Sequence, residues 1–289
     1  MGGISTEYHP RSAGERRGTI VALHGLRESA DTLHRLATNW AAHGWDVVVP
    51  DLRGHGRSPR WDPADPLHPG DRLLADVRDA VGPYLARAGR DDEVVFYGHS
   101  AGGAIAAAAA EQAAVVHGVL LEDPFWRLPV TAFQDRFVAA RAARELLAYQ
   151  TWGQQRLEAH GTSSHPGWQA WEVRQWARAQ RQADALLVRN GHVIPTAPWP
   201  DTVTAIAASA PVLVVTGTAP DVGMTPDHRR VLSDRGAEVV AIAGAGHFVR
   251  RDNPVAFART TDAWLEQIRT VPGVRSGAGA RGRPERVSW

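Results

Sequence analysis

The sequence predicts an α/β fold: a mostly parallel, doubly wound sheet interrupted by an inserted helical cap. Three observations predict it. Six short runs, at residues 19–23, 46–49, 94–97, 118–121, 212–216 and 238–242, are apolar and β-branched on consecutive positions, as expected of parallel strands covered on both faces. Helix-like segments near residues 31–43, 71–88, 101–115, 226–235 and 254–269 fall between and after them, and such alternation implies helices on both faces of one open sheet. The third observation is a break in the rhythm. From residue 124 to residue 209 no convincing strand occurs, and roughly 85 residues are too many for a loop in a compact domain. Helix-length patterns at 131–150 and 167–188 make this stretch a helical cap. The expected division is a core of residues 1–123 and 210–271, a cap of residues 124–209, and a Gly-, Arg- and Pro-rich tail of residues 272–289 expected to be disordered.

Composition narrows the function classes. A chain of 289 residues, 44% hydrophobic and 22% charged, can bury a large core and is ordinary for a globular protein. The formal net charge of +1 suggests neither a nucleic-acid nor a membrane partner. Every basic side chain apart from histidine is arginine, which leaves no lysine for Schiff-base chemistry. No cysteine is present, so disulfides, thiolate catalysis and cysteine metal sites are excluded. The first residues lack an apolar stretch of signal-peptide length, and no apolar run approaches the ~18 residues of a spanning helix. A cytoplasmic protein acting on a small molecule, as a monomer or homodimer, is the expectation.

The chemistry concentrates where strands end, the place at which open α/β sheets bind ligands. In VVFYGHSAGG the strand at 94–97 runs into Gly98, His99, Ser100, Ala101, Gly102 and Gly103. In a G-x-S-x-G turn from strand to helix the bend is so sharp that the flanking residues must be small, and the serine backbone is strained. The hydroxyl is thereby raised above the sheet, beside the N–H groups that open the next helix. A serine hydroxyl needs a base. Of thirteen histidines, His247 in IAGAGHF lies just past the last predicted strand, in a loop thinned by Gly244, Ala245 and Gly246. His55 and His99 read as structural turn residues, and His24 as a residue fixing the backbone of the loop after the first predicted strand. The remaining histidines show no metal-ligand spacing, so neither a metal nor a cofactor is expected.

The base in turn needs a carboxylate. Asp221, in TGTAPDVGM, is favoured; of Glu122 and Asp123, in LLEDPFW, Asp123 is the alternative. All three satisfy the chain order Ser, acid, His. An oxyanion requires two preorganised donors, supplied by the N–H of Ala101 and by that of Leu26 in LHGLRES.

These stretches together resemble the α/β-hydrolase superfamily: His24 and Gly25, DLRGHGRS from Asp51, GHSAGG from Gly98, and GAGHF from Gly244. The resemblance covers residues 18–123 and 210–270. It implies Ser100 as nucleophile, His247 as base, Leu26 and Ala101 as oxyanion donors, and a structural role for the stretch from Asp51 to Ser58. In the family the acid usually stands three residues after the glycine ending its strand; here Pro220 occupies that place and Asp221 follows it. The short segment before Thr19 leaves little room for the family's first hairpin, so a shortened sheet is expected.

A serine at the nucleophile position argues against the aspartate-dependent reactions of this superfamily and leaves acyl transfer. Hydrolysis of a carboxylic ester or lactone is expected, with C–C bond or thioester cleavage by the same groups as an alternative and a non-catalytic ligand receptor as another. Six of the eleven tryptophans, Trp126, Trp152, Trp168, Trp171, Trp176 and Trp199, fall in the cap. Most should dock the cap on the core; Trp126 and Trp168, with Arg27, are the candidates for contact with a bulky apolar or aromatic substrate.

Overall fold

The structure is a computed structural model that describes residues 2–62, 68–89, 92–127 and 132–270. The expected tail, 272–289, lies outside the described residues. Seven strands form one sheet: β1 (Thr6–His9), β2 (Gly18–Leu23), β3 (Trp45–Pro50), β4 (Glu93–His99), β5 (Gly118–Glu122), β6 (Val212–Gly217) and β7 (Glu238–Ile242). Their spatial order is β1-β3-β2-β4-β5-β6-β7. Only β1 is antiparallel, with Glu7 opposite Val49; every other pairing is parallel. The six expected strands are therefore joined by a seventh, the four-residue edge strand β1. Its sequence, TEYH, is too short and polar to stand out by pattern.

Alternation along the strands makes two cores. Val21, Leu23, Val48, Phe96, Val119, Leu121 and Val214 face one side, toward α2 (Pro69–Leu85), α3 (Ala101–Gln112) and α8 (Trp199–Ala207). Ile20, Ala22, Val47, Val49, Val95, Tyr97, Leu120, Leu213 and Val215 face the other, toward α1 (His34–Ala42) and α11 (Pro254–Thr270). A short 3-10 turn over Ala30–Leu33 leads into α1, and α9 (Pro226–Asp234) joins β6 to β7. Helix α3 is buried from Ala101 to Ala110, as a helix apolar all round must be. Its alanine run lets neighbouring helices approach closely, and both α2 and α8 pack on it.

Between β5 and β6 stand α4 (Ala132–Gln150), α5 (Gln154–Ser164), α6 (Ala170–Gln182), α7 (Ala185–Asn190) and then α8. The expected helix over 167–188 is two helices. The backbone of Ala183 is extended, and the Asp184 carboxylate caps α7 by accepting the Leu186 N–H at 2.9 Å, the use to which an N-terminal aspartate is suited. Because α8 packs on α3, α9 and β6, it belongs to the helical layer of the sheet, and α4–α7 form the body of the insertion.

Candidate active site

Ser100 follows β4 and precedes α3, with φ 54° and ψ −123°. That conformation costs a residue with a Cβ on the order of 1–3 kcal/mol and persists only where the surroundings enforce it. They do so here by close packing. A Cβ on Gly98 would collide with the carbonyl of Gly102, and one on Gly102 with that of His24. The turn is tied down by the Ser100 N–H donating to Glu122 O at 3.0 Å and by the Phe125 N–H donating to Ser100 O at 2.9 Å.

His247 lies in the loop between β7 and the short α10 (Val249–Asp252). Its Nδ1–H donates to Asp123 Oδ2 at 2.5 Å, which leaves Nε2 as the nitrogen free to act on a hydroxyl. Asp123 is the first residue past β5 and carries φ 37°. It is fully buried and also accepts from the Thr216 hydroxyl at 2.6 Å, the Gly223 N–H at 2.6 Å and the Met224 N–H at 3.3 Å. The carboxylate that meets the imidazole is thus Asp123, and the expectation favouring Asp221 is corrected. The Asp221 carboxylate instead accepts the His247 main-chain N–H at 3.5 Å, since its loop folds against the backbone of residues 246 and 247. Burial would raise the Asp123 carboxyl, but the hydrogen bond and charge of His247, with the Thr216 and Gly223 donors, hold it below its ordinary value. Burial likewise works against protonated His247, and the hydrogen bond and charge of Asp123 outweigh it, so the imidazole titrates above its ordinary value.

The loop after β2 brings Leu26 beside Ser100; a Cβ on Gly25 would stand 3.1 Å from the Ser100 Cβ. Among the described residues neither the Leu26 nor the Ala101 N–H has an acceptor within the protein. Two buried histidines shape this loop. His24 donates from Nδ1 to Gly25 O at 2.8 Å and accepts the Leu52 N–H at Nε2 at 3.0 Å. His55 accepts the Arg27 N–H at Nε2 at 3.1 Å. Burial pushes them down to about 4 and about 3, so both are neutral supports. The stretch from Asp51 to Ser58 is structural as well: Asp51 accepts the Ala30 and Arg57 N–H groups at 2.7 and 2.9 Å.

Behind the loop lies a buried ionic group with no signature in the sequence. Glu28 accepts from the Gly25 N–H at 2.8 Å, His99 Nδ1 at 2.5 Å, Arg250 at 2.5 Å and Arg251 at 2.8 Å. Arg250 also donates to Glu122 at 2.9 Å, and Arg251 pairs with Glu172 of α6 at 2.9 Å. Burial alone would raise Glu28, but Arg250, His99 and Arg251 hold it well below the usual carboxylate range. His99, whose Nε2 lies 3.0 Å from His247 O, connects this group to the main chain of His247.

Ser100 and His247 line one cavity of about 800 Å³, closed on its other side by α4–α7. Ser100 Oγ and His247 make no mutual hydrogen bond in this structure. Leu26, Phe125, Val138, Ala139, Ala142, Val188 and Val193 give an apolar lining; Arg27, Glu145, Tyr149, His160, Trp176 and Gln180 give a polar and aromatic one. Arg27 donates to Gln180 Oε1 at 2.8 Å and to Glu145 Oε2 at 2.7 Å. Tyr149 donates to Glu145 Oε1 at 2.9 Å and lies 2.8 Å from His160 Nε2; burial, with Glu145, pushes its phenol up to about 12. Neither Trp126 nor Trp168 lines the cavity, which corrects the expectation for both. Trp126 stacks on Trp199 at 4.9 Å within the core. Trp168 stacks on His165 at 3.9 Å and donates to Asp252 at 2.7 Å, docking the insertion on α10. The tryptophan that faces the cavity is Trp176.

Residues 20–260 match the model of the alpha/beta hydrolase family. The chain belongs to the alpha/beta hydrolase family. The chain is 35% identical over 106 residues to Lipase LipV of Mycobacterium tuberculosis, a match spanning 36% of each chain. It therefore aligns with only about a third of the length of that curated relative. Two solved structures share its fold: one of the carboxylesterases of Nitrososphaera gargenis (17% identity, TM-score 0.68, covering 92% of this chain and 94% of that one) and a thermophilic esterase from Thermogutta terrifontis (21% identity, TM-score 0.66, 92% and 94%). Among the described residues, no helix is long and apolar enough to cross a membrane.

Proposed function

We propose that this hydrolase cleaves a carboxylic ester or lactone of a small molecule with an apolar or aromatic part, through an acyl-enzyme on Ser100. The observation that carries the proposal is Ser100, held at φ 54° on a strand-to-helix turn, lining the same cavity as an imidazole whose Nδ1 is bonded to Asp123. Ser100 Oγ attacks the carbonyl carbon while His247 Nε2 takes the hydroxyl proton. The carbonyl oxygen, now an oxyanion, accepts from the Leu26 and Ala101 N–H groups. The tetrahedral species collapses by breaking the bond to the leaving oxygen, which receives the proton from His247. Water then attacks the acyl-serine, His247 again taking a proton, and the acid departs with Ser100 restored. Asp123 stays ionised throughout and stabilises the imidazolium. The helices α4–α7 act as a cap that shields these steps from bulk water.

The test is labelling with a fluorophosphonate and peptide mapping, followed by turnover of activated esters and lactones beside an acyl thioester and a vinylogous diketone. The label is expected on Ser100, with ester or lactone turnover highest. Ser100→Ala should lower turnover by on the order of 10⁴-fold or more. Retention of most activity by that variant would reject the nucleophile, and faster thioester or diketone cleavage would move the substrate class.

A further inference from the structure

Away from the cavity, edge strand β1 and the start of α1 bring three potential metal donors together. Glu7 and His9 are two apart on a strand and so project to the same face. His34 opens α1, which packs against β1. One donor atom from each of Glu7, His9 and His34 lies within 4.8 Å of the others. The His9 and His34 rings meet edge-on at 5.2 Å, and His9 Nε2 is 3.5 Å from Glu7 Oε2. That nitrogen is buried and, among the described residues, has no hydrogen-bond partner, an arrangement that is costly unless something else occupies its lone pair. The second oxygen of Glu7 is against the Arg57 guanidinium.

We propose that Glu7, His9 and His34 form a binding site for a borderline divalent transition ion of the zinc type. Two imidazoles and one carboxylate match the preference of zinc, cobalt and nickel and not that of calcium or magnesium, which take oxygen ligands. Bond lengths of about 2.0–2.1 Å demand donors closer together than those seen here. His34, which is exposed, has the freedom to swing inward, and water completes the shell. Arg57 holds the remaining carboxylate oxygen, as partners of a ligating carboxylate commonly do. The ion would staple a four-residue edge strand to the first helix, so it would stabilise the fold without entering the reaction at Ser100. No sequence signal announces it, because His34 lies 25 positions from His9 and only the pairing of β1 with β3 brings it near.

The experiment is titration of the chelator-treated full chain with Co²⁺, read by visible absorption, and with Zn²⁺, read by calorimetry and by melting temperature. One equivalent should bind, with visible bands for Co²⁺ and a rise in melting temperature with Zn²⁺. His34→Ala and Glu7→Gln alter exposed or half-buried positions. Each should weaken binding at least about 10-fold, the loss seen even when groups that merely support a ligand are removed, and abolish the thermal shift. Circular dichroism establishes that each variant is folded. No saturable binding by the wild type, or binding equally tight in both variants, overturns the site; an effect of His34→Ala without one of Glu7→Gln overturns the three-ligand assignment.

Discussion

The two sides of the cavity are built differently. On the sheet side, loops at the strand ends present Leu26, Ser100, Ala101, Phe125 and His247; on the other, helices α4–α7 present side chains. Among the described residues three that are not glycine have left-handed φ: Arg27, Ser100 and Asp123. All three belong to the sheet side, and none to the helical insertion. Strain is tolerated there because parallel strands, buried ions and glycines packed too tightly for a Cβ hold the backbone. The helical side has ordinary backbone and presents Glu145, Tyr149 and Gln180, of which Glu145 and Gln180 accept from Arg27 across the cavity and Glu145 also from Tyr149. The contrast separates a fixed reaction frame from a substitutable surface that selects what enters it.

The largest expected effect tests the frame. Asp123→Asn should lower kcat by on the order of 10³–10⁴-fold, as loss of the carboxylate that orients an imidazole does. Asp221→Asn should stay within about 10-fold of wild type, because that residue meets only a main-chain N–H of His247. Steady-state kinetics on one activated ester decides it. If the two variants exchange behaviour, the contact at Asp123 is not the working one.

That pair of aspartates also marks where sequence reading stops. The strands were legible because parallel strands are apolar on successive residues, and Ser100 because the crowding of its turn demands glycines at fixed spacing. Which aspartate reaches His247 depends on φ 37° at Asp123, a backbone angle that no residue pattern encodes. Glu28 and Arg250 meet across 222 positions, and neither charge looks unusual in its own stretch. Helix α5 carries no apolar stripe because it buries only Leu157 and Gly161, and β1 carries no apolar run because an edge strand of four residues needs none. Arg27, expected to contact substrate, lines the cavity and pairs with Glu145.

The pH dependence sharpens the same frame. His247 is active as a base when neutral, and Asp123 holds its titration above the ordinary 6.5. The rising limb of kcat/KM should therefore lie above 6.5. In Asp123→Asn the limb should move to lower pH, since burial remains and the anion is gone. Stability carries the matching signs. The depressed Asp123 contributes above its unfolded value and loses that contribution as pH falls through the folded one. The raised His247 contributes below its unfolded value and loses it as pH rises through the folded one. A limb unchanged in Asp123→Asn would show that another group governs the profile.

A smaller effect belongs to the helical side. The Glu145 side chain is 49% exposed, so its pair with Arg27 is worth at most about 1 kcal/mol after screening by water. Glu145→Gln should change kcat/KM by no more than about 5-fold, chiefly through KM. A fall in kcat as large as that of Asp123→Asn would mean that the insertion governs the reaction frame, and the division between the two sides would fail.

The smallest kinetic effect is expected from Trp168, which also discriminates most finely between docking and substrate contact. Its indole N–H donates to Asp252, whose other oxygen accepts the Gly246 N–H beside His247. Trp168→Phe keeps an aromatic ring against Phe248 and His165 but leaves one Asp252 oxygen without its donor, a loss of about 1 kcal/mol. The melting temperature should fall by a few degrees while kcat and KM stay near wild type. Trp176→Phe, altering a ring that faces the cavity, should instead change KM for bulky substrates more than for small ones. If Trp168→Phe shifts KM in that substrate-dependent way and Trp176→Phe does not, the tryptophan touching the substrate lies at the junction of the insertion and α10, and the cavity extends farther than its present lining.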